Sequence, residues 1–145
     1  LRNDFDGKYT LFFLILLICV STDLGGYIFG KIFKGPKLIK ISPNKTYAGM
    51  IGAFVLSIIS TSIYLNYYEF FIIKKAEILS FYDFIFVILI SSVSQLGDII
   101  ISYFKRKSKI KNTGKIIPGH GGILDRIDGM IFAFPSSYLI LKAIY

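Results

Sequence analysis

An all-α fold, a polytopic transmembrane bundle of about four helices, is predicted by three observations: apolar runs of spanning length, no strand-like alternation, and charges gathered between the runs. Hydrophobic residues make up 54% of the 145. A soluble domain is about 45–50% apolar even with glycine counted. The runs cover 9–29, 47–68, 81–104 and 127–144. Each is near the ~20 residues that a helix needs to cross a ~30 Å hydrocarbon core. They are rich in Ile, Phe and Tyr, but too long and continuous for strands, and they lack the period-2 pattern of a membrane barrel. The same composition excludes disorder. The single Cys19 and single His120 exclude a disulfide framework and a zinc site.

The first run could pass for the apolar core of a signal peptide. Ser21-Thr22-Asp23 is no small-x-small cleavage site, however, and Arg2, Asp4, Asp6 and Lys8 cancel in charge, so it reads as a span. Asp23 lies in its second half. Gly25, Gly26 and Gly30 permit close helix packing, within the chain or against a second copy in a homodimer. The loop 31–45 carries five lysines. Lys31, Lys34 and Lys37 read as topology and headgroup attraction. Ser42-Pro43 sets up a turn, and Ser42, Lys45 and Thr46 are donors suited to phosphate oxygens, although a topology-setting loop explains them equally well. The second run needs no special reading. The loop 69–80 is short and carries both signs.

The third run holds Gln95 and Asp98. An ionisable side chain in a span costs ~2.5–3.5 kcal/mol on insertion scales, so it usually faces a cavity or a partner. Gln95 reads as a helix–helix hydrogen bonder. Asp98, Ser102 and Lys105 stand at i, i+4 and i+7 and share one face. A carboxylate, a hydroxyl and an ammonium on one stripe suit a phosphate and metal site better than a structural pair. The loop 105–126 carries seven Lys or Arg. In it Gly119, Gly121 and Gly122 surround His120, and Asp125-Arg126-x-Asp128 opens the fourth run, which has Pro135 midway. Glycines let backbone N–H groups approach an anion, and a helix N-terminus adds its dipole. Asp125 and Asp128, three apart, share a helical face and could hold Mg²⁺, with Asp98 completing the centre. A turn followed by an N-cap explains each residue singly, but not their concentration.

Net charge is +8. With four spans the two basic loops fall on one face, which the positive-inside rule makes cytoplasmic, and both ends of the chain fall outside. The charge then belongs to loops and anionic headgroups, and no nucleic-acid partner is expected. The chain starts at Leu1, which suggests a piece of a longer or processed protein.

The stretch Ser102-x-x-Lys105-Arg106, Lys111-Asn112-x-Gly114, Ile117-Pro118-x-His120-Gly121-Gly122 and Asp125-Arg126-x-Asp128 resembles the signature of phosphatidate cytidylyltransferases, also called CDP-diacylglycerol synthases. Asp23-x-Gly25-Gly26-Tyr27-x-x-Gly30-Lys31, Ser42-Pro43-x-Lys45-Thr46 and Gln95-x-Gly97-Asp98 are similar to other motifs of that family. The likeness runs from about residue 21 to 135. Three departures stand out. Asn112 occupies a position that is usually Asp, Tyr47-Ala48 stand where many members have Trp and Glu, and members are considerably longer, with further N-terminal helices.

The resemblance implies one membrane-embedded domain over 1–145, the C-terminal catalytic part of a longer protein in a bacterial inner membrane, with its catalytic loops and active site facing the cytoplasm. The implied reaction joins CTP and phosphatidate into CDP-diacylglycerol and pyrophosphate, for phospholipid synthesis. It implies Mg²⁺ on Asp98 and Asp125, leaves a second cation open, and gives catalytic weight also to Asp128, Lys105 and Arg126. Arg106 and Lys111 would hold phosphates beside Lys105 and Arg126. Ser102, His120, Gly121 and Gly122 would line the nucleotide site, and Ser42, Lys45 and Thr46 would close it. A polyprenol- or phytol-type lipid kinase and an inactive truncated member are the alternatives. A transporter piece with Asp23 and Asp98 as an ion path needs no such loop signature.

Overall fold

The computed structural model describes residues 2–38, 45–68, 81–110 and 124–144, and the side chains among them except at 2–8, 68, 124–126 and 144. The described residues form four helices: α1 (Arg2–Phe33), α2 (Tyr47–Tyr68), α3 (Phe81–Lys107) and α4 (Leu124–Ile144). The expected run 47–68 is reproduced, and the other three helices extend beyond their apolar runs. Charged residues at helix ends cost nothing once they reach the interface, so hydropathy marks the buried part of a spanning helix and not its full length. Among the described residues, three stretches are long and apolar enough to cross a membrane: Tyr9–Phe33, Tyr47–Tyr67 and Phe81–Lys107. Large apolar side chains such as Phe13, Ile51, Ile59, Ile63, Leu96 and Leu139 face outward. That surface suits acyl chains, and helices satisfy their own backbone groups there. The chain is an integral membrane helical bundle.

The helix ends have local causes. The Thr46 hydroxyl accepts the Gly49 N–H at 3.1 Å and so caps α2. At the end of α3, Ile110 N–H reaches Lys105 O and Lys109 N–H reaches Arg106 O, each at 3.0 Å, with Lys109 in the left-handed region at φ 55°. That is a Schellman closure. Lys105, Arg106 and Lys107 in the last turn oppose the helix dipole.

The helices pair as α1 on α2 and α3 on α4, with lighter contacts joining the pairs. Glycine decides both close approaches. A Cβ on Gly25 would fall 2.5 Å from Gly52 O, and one on Gly49 would fall 2.6 Å from Gly26 O. The stripe that offered itself for a homodimer is therefore used inside the chain, because α2 presents glycines that mesh with it. On the other pair, a Cβ on Gly129 would meet Ser94 Oγ at 2.6 Å and Asp98 Oδ1 at 2.7 Å. An apolar core of Ile15, Ile18, Cys19, Phe86, Val87, Ile90 and Ala133 fills one half of the bundle. Next to it lies a buried hydroxyl layer, in which Thr22 donates to Ser91 Oγ at 2.9 Å and Gln95 Nε2 donates to the same oxygen at 3.4 Å. Beyond that layer, toward the ends of α1 and α3, the bundle opens.

Candidate active site

The opening is a cavity of about 320 Å³. Its walls come from four places in the chain. The second half of α1 supplies Thr22, Asp23, Gly26 and Tyr27. The entry to α2 supplies Lys45, Thr46 and Gly49. The α3 stripe supplies Gln95, Asp98 and Ser102, and the first turns of α4 supply Asp128. Asp98 lies nine residues before the end of α3, roughly 14 Å along a helix rising 1.5 Å per residue. The cavity thus reaches from the interface into the spanning region.

Two ion pairs set its electrostatics. Lys45 Nζ lies 3.4 Å from Asp98 Oδ2 and also donates to Gln95 O at 3.5 Å. Lys105 Nζ lies 3.2 Å from Asp128 Oδ2, with both side chains only 13–14% exposed. Asp98 Oδ1 turns the other way, against Gly129. It is buried and has no hydrogen-bond partner among the described residues. Taking a carboxylate oxygen out of water without a partner is unfavourable, so this atom is suited to a cation. Among the described residues, Asp23, Asp98 and Asp128 outnumber the one lysine of the wall, a balance that disfavours an unaccompanied polyphosphate.

Of the residues singled out from the sequence, Lys45, Thr46, Asp98, Ser102 and Asp128 line one cavity. Lys105 joins them through Asp128 rather than along the Asp98 stripe. Arg106 is exposed on the last turn of α3 and is not part of the wall. Ser42, Lys111, Asn112, His120, Gly121 and Gly122 lie outside the described residues, as do the side chains of Asp125 and Arg126; the Asp125 and Arg126 backbone belongs to the first turn of α4. The structure adds Asp23 and Thr22 to the wall. A carboxylate beside Gly25-Gly26 reads equally well as a packing element, so only its position could decide. Gln95, expected to bond between helices, instead donates its amide to Ser91 one turn back on α3, and it edges the cavity. Among the described residues no three His, Cys, Asp or Glu side chains are grouped to hold a metal by themselves.

Comparison with known proteins agrees with the signature between residues 102 and 128. The model of the cytidylyltransferase family matches residues 1–144. A phosphatidate cytidylyltransferase of Staphylococcus saprophyticus is 37% identical over 137 residues, covering 94% of this chain and 50% of that protein. Those of Bacillus subtilis and Rickettsia conorii are 37% and 40% identical, covering 97% and 91% of this chain and 51% and 58% of theirs. The chain spans about half the length of the curated relatives it matches.

Proposed function

Because this chain belongs to the cytidylyltransferase family, we propose that it acts as one membrane-embedded unit that transfers a cytidylyl group from CTP to phosphatidate. A phosphate oxygen of phosphatidate attacks the α-phosphorus of CTP. A new phosphorus–oxygen bond forms, the bond from the α-phosphorus to the bridging oxygen breaks, and pyrophosphate leaves with that electron pair. The attacking oxygen is already ionised near neutral pH, so no general base is required. Catalysis is then positioning and charge neutralisation.

The observation that carries this reading is the convergence of Lys45, Asp98, Ser102 and Asp128 on one cavity at the end of a membrane-spanning bundle. A water-soluble nucleotide and a lipid phosphate can both reach such a place. Asp98 would hold Mg²⁺ through its unpartnered oxygen, with Asp128 and Asp125 as further ligands, and the ion when bound would neutralise the phosphates and favour in-line displacement. Lys45 and Lys105 hold Asp98 and Asp128 in position, and their ammonium groups stand ready for phosphate oxygens as substrates enter. Ser102 and Thr46 offer hydroxyls to the same oxygens. The site faces the cytoplasm of a bacterial inner membrane, the side on which CTP is found and on which the lysine-rich loops are retained.

The test is conversion of labelled CTP into a lipid-extractable product by the membrane-inserted chain, with phosphatidate and Mg²⁺. Product formation is expected, falling at least about a hundredfold in Asp98→Asn, as when a preorganised charge contact is lost. A folded, inserted chain that gives no product, or an Asp98→Asn variant with full activity, refutes the assignment.

A further inference from the structure

Against the first cavity lies a second of about 420 Å³, sharing Tyr27 and Thr46 with it. The two are opposite in sign. Three carboxylates line the first, whereas Lys31, Lys34 and Lys37 line the second, with no acidic residue among the described ones there. The fold sets the backbone from which these lysines project. Lys31 stands on the last turn of α1, its Nζ donating to Tyr27 Oη at 3.4 Å and lying 5.5 Å from the ring centroid. Lys34 has φ 41°, a left-handed conformation uncommon outside glycine, which turns the chain off the helix. Gly35-Pro36 then brings it back along the start of α2. Tyr47 N–H donates to Pro36 O at 3.2 Å and Leu38 N–H to Lys45 O at 2.8 Å, so that Lys37 pairs with Thr46 in an antiparallel bridge.

Three lysines thus line one concavity, the Lys31 ammonium held against Tyr27, and like charges gathered there favour an anion. Lysine is a point-charge binder of phosphate. The cavity sits at the end of the α1 span, at the depth of phosphate headgroups. We infer that it is a second, metal-independent site that binds a terminal phosphate, lipid-borne as a phosphomonoester or soluble as pyrophosphate, against the Tyr27–Thr46 wall of the carboxylate cavity. Direct neutralisation by three lysines makes a metal unnecessary here, in contrast to the first cavity. The inference needs no turnover, so its failure would leave the proposed transfer reaction standing, and the reverse also holds.

Lysine footprinting by an amine-acylating reagent, read residue by residue by mass spectrometry, tests it on the full chain in phosphatidylcholine vesicles. One arm adds phosphatidate to the bilayer. A second adds inorganic pyrophosphate to metal-free buffer. A third replaces phosphatidate with phosphatidylglycerol at matched surface charge. The expected result is several-fold slower labelling of Lys31, Lys34 and Lys37 in the first or second arm, with Lys107 and Lys109 unchanged. Which arm protects identifies the source of the phosphate. In the doubly substituted Lys34→Asn, Lys37→Gln chain, whose Asn tolerates the left-handed backbone, protection of Lys31 should be lost while the thermal midpoint stays put. Protection absent from both phosphate arms, equal in the phosphatidylglycerol arm, or equal at Lys107 and Lys109 overturns the inference.

Discussion

Asp98 presents two unlike oxygens. Oδ2 is ion-paired with Lys45 at 3.4 Å, and Oδ1 is buried beside Gly129 without a hydrogen-bond partner among the described residues. The pair joins the entry of α2 to α3 across 53 residues of sequence. Removing either partner leaves the other charge poorly solvated, so the two substitutions should not be additive. Lys45→Met and Asp98→Asn should each destabilise the bundle, and the double variant should fall short of their sum by about 1–2 kcal/mol, read from denaturant unfolding in detergent. Strict additivity would mean that the contact holds nothing together. From the sequence, Asp98 stands out because an ionised group in an apolar run calls for a reason. Its partner does not stand out, since any of five loop lysines could have served. The Lys105–Asp128 pair, which bridges 23 residues, is equally unreadable until α3 and α4 are placed side by side.

At the scale of elements, helix approach depends on individual glycines, and neighbours in sequence have opposite roles. A Cβ at Gly25 would press on the Gly52 backbone, whereas one at Gly26 would lie 3.9 Å from its nearest neighbour, an ordinary contact. Gly25→Ala should therefore part α1 from α2 and cost about 1–3 kcal/mol. Gly26→Ala should be within about 0.5 kcal/mol of the parent, as most unstrained substitutions are. Thermal unfolding of both variants in the same detergent decides it, and equal midpoints would show that the α1–α2 interface gives way easily. The four helices themselves were legible as long apolar runs, because spanning a bilayer imposes length and composition together. Their pairing was not. Gly25-Gly26-Gly30 announces close packing without naming the partner, and α2 as that partner appears only when Gly49 and Gly52 come to face it.

For the whole molecule, the carboxylates gather at one end because of connectivity. Asp23 is in the second half of α1, Asp98 in the second half of α3, and Asp128 in the first turns of α4. An up-down-up-down path brings those three stretches to the same end, where Lys31, Lys34 and Lys37 also collect. The charge asymmetry of the loops predicts which side of the membrane that end occupies, and Cys19, the chain's single cysteine and a buried one, makes the question measurable. On a Cys19→Ser background, a single cysteine placed at Lys37 or Lys107 should react with a membrane-impermeant thiol reagent only from the cytoplasmic side. One placed at Asn66, near the far end of α2, should react only from the opposite side. Labelling of all three from one side would break the alternating path. Labelling in the reverse sense would keep the bundle but turn the cavity away from the nucleotide supply, which the proposed transfer reaction could not survive.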